Sequence, residues 1–398
     1  MTQFNRKRFM KALEMAQDSM HRGRGTIPIL YDAHLVSDGE AMVMETTDLN
    51  NSMTIELPVE WCGQAFECTL PSPKRVRASL AALDAEIVCL DVDEEEEAIT
   101  VASGRMSFKF IGKKPHDFPA MARIAAPAFS ADLGAQELNQ IARVIGACSQ
   151  EETRYYLKGI CVRKVSDWNY QFAATDGHRL YVVEIPLPNA TGRIPDGTII
   201  PYEWLKIALS RFPKAKEGAK LSYGPVVARN DPEPTLAPNN PLAARIALSG
   251  DFDGFSATLT GKLIDGTYPD YTRVIPQGQT HMIRVKRVEL MLAIAALSPM
   301  SDSKKVRAVK LTTSPGLLKI SLKSVDLGEG SIDLPVEHNL DGRGYQFGVN
   351  GNYLRHALAM MRGDEVEMYV DPTSAVAPIL LKSPTDTTFS ITLMPMRF

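Results

Sequence analysis

Three short patterns recur along this chain in a fixed order, and that recurrence constrains the fold more than any single motif does. Ile55-Glu56-Leu57-Pro58-Val59 returns as Val183-Glu184-Ile185-Pro186-Leu187 and again as Ile332-Asp333-Leu334-Pro335-Val336. Each copy reads as an alternating strand whose proline stands near the end, where no ladder N–H is needed. A helical pattern follows: WLKIAL at 204–209, YLRHAL at 353–358 and a looser VRASL at 76–80. From strand proline to last leucine the spacing is 22, 23 and 23 residues. A closing strand completes each copy, as SFKF at 107–110, FSATL at 255–259 and FSITL at 389–393. Between copies two and three the helices are offset by 149 residues but the closing strands by 134, so copy two holds 15 extra residues. Residues 229–241 (RNDPEPTLAPNNP) have the composition of the surface loop this requires.

Every copy also opens on a helical face: Phe9, Leu13 and Ala16 in the first; Leu138, Ile141, Ala142 and Ile145 in the second; Val288, Leu292 and residues 295–297 in the third. Ser130-Ala131-Asp132 and Pro201-Tyr202-Glu203 supply helix starts. The remainder alternates with period two between Gly, Pro and Asp turns. The reading is α+β, with two helices and antiparallel sheets per copy and domains at 1–125, 126–276 and 277–398. Three modules in a row leave a sheet edge at each end, and head-to-tail closure of two or more chains into a ring caps both.

The net charge of −3 taken whole disfavours a nucleic-acid partner. Its distribution reverses that inference. Helices placed at 3–20, 72–83, 132–147, 202–216, 284–297 and 350–363 hold 17 basic residues against 6 acidic ones, a net +11 that leaves −14 for the rest. Such a segregated field attracts a polyanion locally. No stretch approaches eighteen apolar residues and no secretory core follows Met1 to Leu13, which points to a cytoplasmic protein without membrane contact. Five cysteines, Cys62, Cys68, Cys89, Cys148 and Cys161, show no C-x-x-C spacing, so no metal site or cofactor is expected.

The runs ETRYYLKG (152–159), ATDGHRL (174–180), YPDY (268–271) and the terminal MPMRF (394–398) resemble the bacterial DNA polymerase III beta subunit, the family of replicative sliding clamps. The resemblance covers the chain in order from Pro28-Ile29-Leu30 onward. It implies three clamp domains per chain, a head-to-tail homodimer closed into a ring, and double-stranded DNA threaded through the hole without sequence readout. Basic helices then face phosphates loosely enough to permit sliding. The implied partners are the DNA polymerase III alpha subunit, the clamp loader and other proteins with clamp-binding linear motifs.

The residues that match family groove positions are Leu157, Thr175, Gly177, His178, Arg179, Leu180, Pro269, Arg273, Val274, Tyr353, Met394, Pro395, Met396 and Arg397. Core packing of the last strand is the alternative for Met394 and Met396, but polarizable methionine suits a surface with several clients, and hydrophobics held at a terminus, where chains usually fray, favour a functional end. The groove's neighbourhood departs from the family pattern at 303–306 (SKKV), where many relatives carry an aromatic near Val306. The 348–353 segment (GVNGNY) is two residues longer, which leaves Asn350 and Asn352 as alternatives for one family asparagine. For DNA, Arg24, Tyr155 and Tyr156 match family contact positions, and period alone adds Lys74, Arg77, Lys206, Arg211 and Arg355 as inner-helix candidates. Phe108 and Leu297 match dimer-interface positions, with a core role as the alternative for each. Two rival readings are a repeat scaffold without a DNA role and a hydrolase using Asp176 and His178. Against the second, Asp-Gly is foremost a turn, and no hydrolase or phosphate-loop motif occurs.

Overall fold

A computed structural model describes residues 1–20, 27–61, 65–82, 85–228, 244–301, 308–324, 326–340, 344–374 and 376–397. Arg24, the 229–241 insertion, residues 303–306 and Phe398 lie outside the described residues.

Six α-helices occur among the described residues, one within each expected segment: α1 (Arg6–Ala16), α2 (Pro73–Ala81), α3 (Ala135–Ala142), α4 (Tyr202–Arg211), α5 (Arg287–Leu297) and α6 (Gly351–Met360). All are shorter than expected: strands take the starts of α1, α3, α5 and α6, and 3-10 turns the ends of α1, α3 and α4. Ser130 to Asp132 is no helix start, since it belongs to the strand Phe129–Leu133. α1 is capped by Asn5, whose side chain accepts from the Arg8 N–H at 3.2 Å. Asn350 caps α6 in the same way, accepting from the Asn352 and Tyr353 N–H groups. Of the two asparagines in the lengthened segment, Asn350 is therefore the cap.

The first residues of α1 and α5 repeat one latch. Arg6 donates from Nη1 to Leu80 O (2.9 Å) and from its main chain to Glu86 O (2.8 Å). Arg287 donates from Nη1 to Leu358 O (3.1 Å) and from its main chain to Asp364 O (2.8 Å). Each guanidinium satisfies carbonyls at the C-terminal end of the neighbouring helix, α2 or α6, where the helix dipole favours a cation. Much of the basic charge at these two helix starts is thus structural.

The chain forms two compact units, residues 1–139 with 187–265, and residues 140–186 with 266–398. This division cuts through the second sequence module, and strand pairing gives the reason. In the first unit, Asn51–Pro58 of module one pairs antiparallel with Phe255–Lys262 of module two, joining both into one sheet. In the second, Arg179–Pro186 of module two pairs with Asp386–Leu393 of module three. The closing strands of modules two and three therefore bond to the preceding module as well as to their own, while that of module one stays at an edge. Each unit also holds a four-stranded sheet: Met106–Ile111 ends the first, Gly328–Pro335 the second.

Inside the second unit, Arg143 follows α3 and is almost enclosed, its side chain 8% exposed. Its Nε donates to Met360 O (2.7 Å) and its Nη1 to Gln140 Oε1 (2.7 Å). Its guanidinium lies 3.8 Å from the centroid of Phe389. Nη2 faces Asp386 Oδ2 at 2.7 Å, an ion pair without the alignment of a hydrogen bond. Cys68, Cys89, Cys148 and Cys161 carry thiols rather than disulfides; burial pushes Cys68 and Cys148 up to about 12, leaving them unreactive. No described helix is long and apolar enough to cross a membrane, and no metal-binding cluster occurs among the described residues.

Candidate functional site

The hairpin between strands Asn169–Thr175 and Arg179–Pro186 turns on side chains that bond their own backbone. Thr175 Oγ1 donates to Arg179 O (2.7 Å) and accepts from Gly177 N–H (3.1 Å). Asp176 Oδ1 accepts from the main-chain N–H of His178 (3.0 Å) and Arg179 (3.1 Å). Gly177 sits at φ 87°, in the left-handed region where a side chain is strained. Asp176 Oδ2 takes the Arg179 Nε–H at 2.9 Å. The carboxylate thus holds a turn and an arginine, and it takes the His178 main chain rather than its ring. The hydrolase reading loses its dyad on this geometry.

Arg179 organises what lies behind the turn. Its Nη2 donates to Gly146 O (2.7 Å), and its guanidinium stands 4.7 Å from the Tyr353 ring centroid. The exposed His178 ring stacks on the same tyrosine, with centroids 6.1 Å apart at 25°. Two residues along the strand, on the same face as Arg179, Tyr181 shares a 2.9 Å hydrogen bond with His356 Nδ1. Burial lowers the His356 pKa, and Arg179 lowers it further, which keeps the ring neutral.

The last residues complete this surface. Met394 N–H donates to His178 O (2.8 Å) and Met396 N–H to Gly348 O (2.9 Å), so the terminus is bonded in place. Met394 and Val274 remain 38% and 43% exposed, large apolar groups at the surface. The segment bearing Pro269, Arg273 and Val274 is tied in where Thr175 N–H donates to the buried Tyr268 hydroxyl (3.0 Å). Arg273 pairs with Asp270 at 3.0 Å. Leu157 and Leu180 are buried and offer no exposed face. The structure brings the turn, Tyr353 and the terminus together, with Gly146, Tyr181, Tyr268 and His356, which are not among the matched groove positions, bonded behind them. The shared strand face of Arg179 and Tyr181, and the helix spacing of Tyr353 and His356, are the sequence signals for two of these four.

The DNA candidates separate into two groups. Lys74 on α2, Lys206 on α4 and Arg355 on α6 are exposed. Arg77 and Arg211 are instead engaged by carboxylates: Glu14 of α1 meets both, at 2.8 and 2.7 Å, and Asp18 of the 3-10 turn after α1 meets Arg211 at 2.5 Å. Arg211 and Arg77 together hold Glu14 below the usual carboxylate range. Sequence period could not register this neutralisation. Tyr155 and Tyr156, on the 3-10 segment Glu152–Leu157, meet edge to face at 5.7 Å, and Tyr155 is 53% exposed. Phe108 is half-buried on the edge strand Met106–Ile111. Leu297 is buried on α5, where its Cδ2 lies 3.0 Å from the place a Cβ on Gly330 would take.

Models of the three DNA polymerase III beta subunit domains match this chain in order, the N-terminal domain over residues 2–122, the central over 134–270 and the C-terminal over 272–397. The chain belongs to the DNA polymerase III beta subunit family. Among relatives, the beta sliding clamp of Caulobacter vibrioides is 29% identical over 402 residues and that of Pseudomonas aeruginosa 26% over 397, each alignment covering 98% of both chains. A solved Caulobacter crescentus beta sliding clamp, with polyethylene glycol bound to its candidate beta-motif tethering region, matches with TM-score 0.85 at 27% identity. The Bartonella birtlesii sliding clamp bound to griselimycin matches with TM-score 0.84 at 27% identity. Both cover 100% of this chain and 99% of the other.

Proposed function

We propose that this chain is a non-catalytic DNA sliding clamp. Two copies close head to tail into a ring of six similar domains around duplex DNA and hold the replicative polymerase to its template. The match of all three beta subunit domains in order, to relatives called beta sliding clamps, carries this reading. The two four-stranded sheets supply edges for closure: Met106–Ile111 carries Lys109 and follows Arg105, while Gly328–Pro335 carries Glu329 and Asp333. Phe108 and Leu297 lie at this junction in the proposal. Lys74, Lys206 and Arg355 face the phosphates, Tyr155 and Tyr156 contact template where it leaves the duplex, and Arg24 belongs with them by resemblance. Diffuse attraction through water leaves the ring mobile, whereas aligned phosphate clamps would brake it.

The surface built by Thr175 to Leu180, Tyr353 and Met394 to Arg397, with Pro269, Arg273 and Val274 beside it, receives short peptides bearing Leu or Phe anchors. The polymerase alpha subunit, the clamp loader and other clamp-binding proteins carry such peptides. Work on chromosomal DNA places the chain in the cytoplasm. Topological binding makes a direct prediction: clamps loaded on nicked circular DNA stay bound, and linearising the circle releases them. Equal retention on circles and linear DNA refutes encirclement.

A further inference from the structure

The chain holds 17 methionines, and all of them lie among the described residues. Only Met1 and Met394 are exposed, at 67% and 38%; the others are buried or half-buried. Met1 belongs to the first compact unit, so Met394 is the one exposed thioether of the second. Access decides where a dissolved oxidant meets a thioether, because sulfur of this kind needs no deprotonation to react. The thiols compete poorly. Cys68, Cys148 and Cys161 are buried, and burial pushes the first two up to about 12, so little thiolate forms there. Cys89 is half-buried, and Cys62 lies outside the described residues.

Met394 follows directly on the strand Asp386–Leu393. Its N–H is held by His178 O at 2.8 Å, and two residues on, Met396 N–H is held by Gly348 O at 2.9 Å. The backbone on both sides of Pro395 is thus fixed by bonds in which the thioether takes no part. An oxygen added to the sulfur leaves that framework standing and alters only the surface it presents. The unmodified side chain is apolar and polarizable, which suits a Leu or Phe anchor. The sulfoxide instead carries a strong acceptor oxygen, and an apolar anchor packed against it strips away water without offering a donor.

We propose, on the peptide-groove reading of this surface, that Met394 is a reversible oxidation site through which hydrogen peroxide weakens peptide docking. The thioether sulfur gives a lone pair to one peroxide oxygen, the O–O bond breaks, and the hydroxide released takes up a proton and leaves as water. Sulfur loses two electrons and peroxide gains them. Methionine sulfoxide reductases reverse the step, the oxygen leaving as water while two thiols become a disulfide. The test treats the full chain with dilute hydrogen peroxide and locates the added oxygen by peptide mass spectrometry. Fluorescence anisotropy follows binding of the peptide fluorescein-Gly-Ala-Leu-Ala-Leu-Phe. Oxygen is expected at Met394 before any other residue of the second unit, with affinity falling about tenfold for one unpaired polar group. Treated and untreated Met394→Leu should differ by less than about twofold, whereas Met396→Leu should still lose about tenfold on treatment. Reductase should restore binding as the oxygen leaves Met394, and this arm decides if Met394→Leu binds too weakly to compare. Oxygen appearing first elsewhere in that unit, affinity that survives oxidation of Met394, an equal loss in Met394→Leu, or affinity that does not return with the thioether overturns the oxidation site alone. A peptide that fails to bind the untreated chain at millimolar concentration overturns the groove reading itself, so the two failures are told apart.

Discussion

Removing the charge of Asp386 while keeping its shape should loosen the second unit selectively. Arg143 and Asp386 are 8% and 11% exposed, so the guanidinium in Asp386→Asn stays buried without a counter-charge. Breaking such a pair costs about 3–5 kcal/mol. Arg143→Met keeps an apolar stem near Phe389 but strands the Asp386 carboxylate, with a cost in the same range. With both changed, the principal loss left is the donor to Met360 O, about 1–3 kcal/mol for an unsatisfied buried carbonyl. Single changes that sum to more than the double reveal the coupling. Because a chain of two compact units need not unfold in one step, the suitable assay is native-state hydrogen exchange of the Asp386–Leu393 amides. A 3–5 kcal/mol loss accelerates exchange roughly 150- to 4,000-fold, at tenfold per 1.4 kcal/mol. Exchange in Asp386→Asn within threefold of the unaltered protein would refute the reasoning, because it would mean that water already solvates the pair.

Lys206→Ala and Arg355→Ala should each reduce the salt slope of DNA association by about 1. Arg211→Ala should leave that slope intact, since its charge is taken by Glu14 and Asp18. In Gly146→Ala the new Cβ falls 2.3 Å from His356 Cε1, an overpacking worth about 1–3 kcal/mol, whereas Tyr181→Phe should lose only about 1 kcal/mol; chemical denaturation ranks the two. His34 sits between Glu45 (3.2 Å) and Glu67 (2.8 Å); burial pulls its pKa down, but the carboxylates overcome this and raise it. Its contribution to stability is complete below the unfolded histidine value of about 6.5 and fades as pH rises through the raised folded value. The stability gap between the unaltered protein and His34→Gln should therefore shrink with rising pH, as denaturation midpoints across that range will report.

Local periodicity carried the sequence a long way. The proline-ended strands and the helices after them stand in the expected order, because alternation and helical spacing are local signals. The turn at 175–179 was equally legible, since Thr, Asp and Gly bond within five residues. What the sequence concealed lies far apart in it. Arg143 meets Asp386 across 243 positions and Tyr181 meets His356 across 175, and no periodicity announces either. Charge counting failed for the same reason: Arg77 and Arg211 add to the helix total, yet Glu14 and Asp18 of another helix neutralise them. The compact units do not follow the modules, because the closing strands of modules two and three also bond to the module before them.

The self-bonded turn also narrows how this surface can vary under selection. Thr175 and Asp176 cannot change without undoing the loop they close, Gly177 is fixed by its φ, and Arg179 is held by Asp176 and Gly146. Contacts made to the backbone here are untouched by side-chain substitution. Variation is left to His178 and its stacked Tyr353, which change without cost to the turn.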